Sequence, residues 1–229
     1  MDVVSAIVKY NQQTLGRDKL CRTIQYGSRL TGYVMERVGF SKDLVENAKK
    51  LDKHASTSRK IFRLGKSMDM YVGFVRASKM SGDNVVRVLI MCRRVTYILY
   101  YLVDHVTWAD RVGLFKSDSK AWSKFQSKFW LIALIFGVLR NIYDLLNLLN
   151  VSKERVDGEK VKEKSIVQKV MKRPDVVLDT VKNSADFLLP LNVMGIIQLS
   201  TGVSGLLGLI SSIAGAVPIW YPELKLKPS

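Results

Sequence analysis

FLLPLNVMGIIQLSTGVSGLLGLISSIAGAVPIWYP, residues Phe187–Pro222, contains no charged side chain. A run this long and apolar exceeds what a soluble core helix uses and suits a bilayer, whose hydrocarbon is crossed by about 20 apolar residues. The minimal span is Gly202–Trp220, preceded by an embedded or interfacial stretch from Leu191. Pro190 is expected to start or kink the segment. Trp220 and Tyr221 close it as interfacial aromatics, and Lys225 and Lys227 follow, which places the tail Glu223–Ser229 in the cytosol. Within the span Ser204, Gly208, Ser212 and Ala216 recur at every fourth position. Such a small-residue ridge lets helices approach closely, either between copies of the chain as a homo-oligomer or within one chain.

The rest of the 229-residue chain has the opposite character. Lys and Arg number 36 against 20 Asp and Glu, and nearly all of the resulting +16 charge lies before Asp186. A basic body calls for an anionic partner: lipid headgroups, nucleic acid or an acidic protein. The apolar anchor selects an anionic phospholipid membrane, and no nucleic-acid-binding motif is present. Cys21 and Cys92 are too few and too far apart for a disulfide framework or a zinc site, and His54 and His105 lack metal-ligand spacing. The N-terminus MDVVSAIVKYNQQ lacks the basic leader and cleavage site of a secretory signal, so the acceptor triplet at Asn150 reads as chance.

Periodicity is helical almost throughout. Helices are expected at Val3–Leu15 and at Asp18–Val38, the latter ended by Gly39. A third begins after Ser41, with Leu44, Ala48, Leu51 and Ala55 on one face, and Ser56–Ser58 is expected to cap the next. That next stretch, RKIFRLGKSMDMYVGFVR (Arg59–Arg76), separates its faces. At 100° per residue Ile61, Leu64, Met68, Val72 and Val75 fall within about 80° of one another. Arg59, Arg63 and Lys66 lie opposite, with Lys60 beside them. A helix of this kind lies in a membrane interface, with Ile61, Leu64, Met68 and Val72 among acyl chains and Arg59, Lys60, Arg63 and Lys66 at headgroups. The alternative is an ordinary amphipathic helix on a protein core.

Ser81 and Asp83 open a helix through Val103. Arg87, Arg93 and Arg94 argue against a simple lipid-exposed span there, at roughly 2.5–3.5 kcal/mol per arginine at mid-bilayer. Ala121–Asn150 is a long helix, in which Arg140 and Asp144 stand at i and i+4 and can pair. Val151–Asp175, dense in Lys and Glu, reads as a linker. The division is residues 1–80, N-terminal amphipathic helices; 81–150, central apolar helices; 151–186, charged linker; 187–222, membrane segment; and 223–229, tail. The fold expected is all-α: an integral membrane helical bundle with amphipathic interfacial helices and a C-terminal transmembrane helix. No phosphate loop, nucleophile elbow, metal motif or credible acid–base pair occurs, so neither an enzyme nor a cofactor is expected.

Five stretches in order carry a family resemblance: GRDKLCRTIQYGSRL (Gly16–Leu30), SRKIFRLGKS (Ser58–Ser67), HVTWADRVGLF (His105–Phe115), WSKFQSKFWLIALIFGVLRNIYDLL (Trp122–Leu146) and GVSGLLGLISSIAGAVPIWYPELKLKP (Gly202–Pro228). They resemble the peroxisomal membrane protein 11 (peroxin-11) family, and the tail, Glu223 apart, its animal alpha/beta branch. The resemblance implies a peroxisomal membrane protein with both termini cytosolic that curves and elongates the membrane before fission, setting peroxisome number and size. It also implies homo-oligomers, recruitment of a fission adaptor and a dynamin-related GTPase, and insertion by the peroxisomal membrane-protein import receptor. The competing reading is a pore for small metabolites, with Arg87, Arg94 and Arg140 facing a shared interior.

Overall fold

A computed structural model describes residues 2–154 and 171–226. Eight α-helices make up almost all of this, and no strand occurs among the described residues. They are α1 (Val3–Gln12), α2 (Thr14–Val38), α3 (Lys42–Ile61), α4 (Lys66–Ser78), α5 (Asn84–Arg111), α6 (Ser119–Glu154), α7 (Pro174–Met194) and α8 (Thr201–Trp220). A 3₁₀ turn at Pro222–Leu224 follows.

Boundaries follow local chemistry. Gly39 ends α2 in the left-handed region (φ 86°), and its N–H bonds to the Met35 carbonyl at 3.1 Å. Asp83 caps α5 by accepting from the amides of Val85 and Val86 at 2.7 and 3.2 Å. The Tyr143 hydroxyl also donates to Asp83, at 2.6 Å. That bond above all holds the carboxyl below the usual carboxylate range, against a smaller upward pull from desolvation. Ser200 caps α8 through the Val203 amide at 3.2 Å.

Several expectations need correction. Ser56–Ser58 lies inside α3, where Thr57 and Ser58 bond back to the carbonyls of Lys53 and His54 and cap nothing. Arg59–Arg76 is two helices, because Gly65 at φ 76° breaks the chain between α3 and α4, a conformation costly for any residue with a Cβ. The second half of the expected linker is helical, as α7 begins at Pro174, while residues 155–170 lie outside the described residues. Pro190 sits within α7 and does not start it, which leaves the Asp186 carbonyl without its usual helical donor. The apolar C-terminus is thus the end of one helix plus a second, turned back on it.

The packing follows a circuit. α2 lies on α3 and α8, α8 on α7, α7 on α6, α6 on α5, and α5 on α4 with a lighter contact to α3. What the circuit encloses is polar: among the described residues 21 polar or charged side chains are buried against 12 hydrophobic ones, so the interior is not an apolar core. The outside is apolar. Val88, Val95, Leu99 and Leu102 on α5 are exposed, as are Ile132, Ile135, Leu139 and Ile142 on α6 and Val203, Leu206, Ile210 and Ile213 on α8. Steps of three, four and seven residues give each helix a continuous apolar stripe turned away from its neighbours. Two helices, Ser119–Leu148 within α6 and Thr201–Trp220, are long and apolar enough to cross a membrane, and most of each is left uncovered by the bundle.

Candidate functional site: a charged interior

The cations of the α3–α4 region point inward. Asp18 on α2 receives Arg59 Nε at 3.1 Å and Arg63 Nε at 3.0 Å, with Lys66 Nζ at 3.9 Å. Arg59 also donates to Gln25 at 2.7 Å. Lys60 Nζ donates to Asp104 at 2.5 Å and to the Thr107 hydroxyl at 2.6 Å, while Gln126 from α6 donates to the same Asp104 oxygen at 2.6 Å. Arg63 spans the two carboxylates, reaching Asp104 Oδ2 at 3.6 Å and the Tyr100 hydroxyl at 3.2 Å. One carboxylate on α2 and one on α5 therefore hold the hinge between α3 and α4 by four cations. Removing charges from water is costly, and ion pairing with added hydrogen bonds is what makes it tolerable.

Further pairs tie the remaining helices. Arg22 on α2 forms a bidentate ion pair with Asp186 on α7, and Ser211 on α8 donates to Asp186 at 2.5 Å. Arg93 on α5 reaches Asp179 at 3.5 Å and Asn183 at 3.0 Å, and Lys182 pairs with Asp179. Arg140 and Asp144 pair at 3.5 Å, as their spacing predicts. Asp144, Asn183 and Ser211 apart, these groups line a cavity of about 1180 Å³, whose wall among the described residues carries fourteen basic and six acidic side chains. Arg94 and Arg140 are in that wall and Arg87 is not; Arg87 donates to the Met80 carbonyl at 3.4 Å.

Two expectations for site residues change. Arg59, Lys60 and Arg63 are buried and Lys66 is half-buried, all committed to carboxylates, so the cationic face is turned from the surface. The wheel separates the faces correctly but does not say which one is outside. The apolar partners are indeed outside: Ile61, Leu64, Met68 and Val72 are 50%, 47%, 71% and 45% exposed. The small-residue ridge is used within the chain. A Cβ on Gly208 would lie 2.1 Å from the Tyr26 ring, and one on Gly205 2.9 Å from the Leu30 backbone nitrogen. Ser204 and Ser212 are buried in the same seam and Ala216 is half-buried. The ridge expected to join copies thus lets α2 and α8 approach backbone to backbone.

Sequence reading missed Asp18, Asp104, Asp179 and Asp186, the anions of this interior. The signal was present: Asp104 stands alone in an apolar run, and Asp175, Asp179, Lys182 and Asp186 step by four, three and four residues along one face of α7.

The family model Peroxisomal biogenesis factor 11 (PEX11) matches residues 4–220. Curated relatives include Peroxisomal membrane protein 11A of Mus musculus, 31% identical, with 98% of this chain and 99% of the relative covered. Peroxisomal membrane protein 11B of Homo sapiens is 28% identical over 98% and 100%. The Peroxisomal membrane protein 11 homolog of Dictyostelium discoideum is 24% identical over 95% and 94%. No solved structure shows a significant match. With the family model and the relatives both covering almost the full length, the chain belongs to the Peroxisomal biogenesis factor 11 family.

Proposed function

We propose that this chain resides in the peroxisomal membrane with both termini cytosolic and curves and elongates that membrane before fission, so setting peroxisome number and size. The observation that carries the reading is the inverted distribution of polarity: ion pairs inside, apolar stripes outside. The outward row Ile61, Leu64, Met68 and Val72 enters the acyl region, and the resulting area mismatch between leaflets bends the bilayer. Lys53 on α3, Arg76 on α4 and Lys79 just beyond its end, all exposed, take the headgroup contacts first assigned to the buried cations. Delivery by an import receptor, self-association, and recruitment of a fission adaptor and a dynamin-related GTPase complete the proposal. It describes membrane shaping and not catalysis.

The test is the double variant L64E/M68E, expressed at high level in cells. Wild type lengthens peroxisomes; the variant stays in carbonate-washed membranes and fails to lengthen them. Elongation equal to wild type overturns the wedge.

A second reading, a pore for small metabolites, is favoured by the charged cavity, with Arg94 and Arg140 in its wall. Conductance in reconstituted bilayers that falls in an R94Q variant supports it.

A further inference from the structure

We infer that the charged cavity is a binding site for a phosphate-bearing anion. Among the described residues its wall carries eight more basic than acidic side chains. Lys9, Arg111 and Lys225 at the mouth are exposed and screened by water, but the cations set deeper behind helices with apolar outer faces are screened less, so a counter-anion stabilises them.

Particular atoms show where the excess lies. Arg94 on α5 meets no carboxylate among the described residues; its guanidinium touches the Met70 sulfur at 3.2 Å and rests over Gly73 of α4. Arg22 uses its terminal nitrogens on Asp186, but its Nε is buried without a hydrogen-bond partner among the described residues, on a side chain 7% exposed. Lys19 from α2 and Lys182 from α7 converge over Gly215, whose missing side chain leaves them room: a Cβ there would lie 2.7 Å from Lys19 Nζ and 3.4 Å from Lys182 Cδ. Lys182 Nζ is held by Asp179, so the spare donors are those of Arg94 on α5 and of Arg22 and Lys19 on α2, and they face one space.

Guanidinium and ammonium donors gathered in this way match a phosphate, whose oxygens accept several charge-assisted bonds at once. The volume of about 1180 Å³ exceeds what inorganic phosphate needs, and the Tyr97, Tyr100 and Tyr101 rings in its wall offer a surface for the remainder of a larger molecule. The phosphate can belong to a soluble metabolite or to a phospholipid headgroup. The inference requires neither elongation nor conduction, and its test reads neither.

The experiment uses the full chain in two arms. In neutral detergent, radiolabelled inorganic phosphate is followed by equilibrium dialysis. In nanodiscs of phosphatidylcholine containing a minor fraction of phosphatidic acid, the lipid retained on re-extracted protein is counted by mass spectrometry. Saturable phosphate binding, weakened about tenfold by R94Q, assigns a soluble anion. Enrichment of phosphatidic acid over its bulk fraction, lost in R94Q, assigns a headgroup. Either outcome supports the site. R94Q removes a cation that meets no carboxylate among the described residues, so its melting temperature without anion does not fall below wild type, which separates lost binding from lost folding. If R94Q fails to fold, K19Q carries the same test from α2. Failure to hold either anion, or equal retention by R94Q and K19Q, overturns the inference.

Discussion

Asp18→Asn keeps the shape of the side chain and removes the charge on which Arg59, Arg63 and Lys66 converge. Breaking one partner out of a buried ion pair costs about 3–5 kcal/mol. The three cations are not left equally stranded. Arg59 keeps Gln25 at 2.7 Å, Arg63 keeps Tyr100 at 3.2 Å and Asp104 at 3.6 Å, and Lys66 keeps the face of Tyr101 at 5.6 Å and the more distant charge of Asp69. The loss therefore falls near the lower end, about 3 kcal/mol. At roughly 2–4 °C per kcal/mol for a chain of this size, the melting transition in detergent drops by about 6–12 °C. Asp43→Asn, at an exposed carboxylate on α3 outside the cavity wall, is the control and shifts stability by less than about 0.5 kcal/mol. Adding Arg59→Gln to Asp18→Asn removes one of the stranded charges and recovers part of the loss. A D18N protein that melts with wild type would show that the cations are not held by Asp18, and the description of the α3–α4 hinge would fail.

Other outcomes follow from the same contacts. Gly205→Ala forces a Cβ against the Leu30 backbone, which a side-chain rotation cannot relieve, and should cost about 1–3 kcal/mol in a denaturant titration. Gly65→Ala places a Cβ at φ 76° and should cost about 1–2 kcal/mol by the same measurement, without affecting the α2–α8 seam. Replacing Arg22 and Asp186 together by Met and Leu should be far milder than either change alone, since the pair disappears without leaving a buried charge; a double-mutant cycle reads the coupling.

Much of the helix order was legible. The apolar run, Gly39, Asp83 and the i, i+4 pair at Arg140 and Asp144 all mean locally what they mean in the fold. The orientation of the faces was not legible. A wheel through Ile61, Leu64 and Met68 against Arg59 and Arg63 is the same whether solvent or protein lies on the charged side. Only the carboxylates at Asp18 and Asp104, 41 and 44 residues away from their partners, decide it. For the same reason α7 was hidden: its charged stripe resembles a solvated linker until Arg22 and Arg93 are found opposite it. The ridge at Gly208 announces close approach but not the identity of the partner, which proves to be Tyr26.

The inverted polarity also reverses which substitutions the molecule tolerates. On most proteins a lysine added to an outer face of a helix passes unnoticed and a leucine added there invites trouble. Here a lysine at Ile135 or Ile210 meets the greasy surroundings proposed for this chain, while leucine at those places changes little. Catalogues of harmful variants should therefore gather at two kinds of position that ordinary intuition would pass over: new polarity on the rim, and single lost charges at the centre.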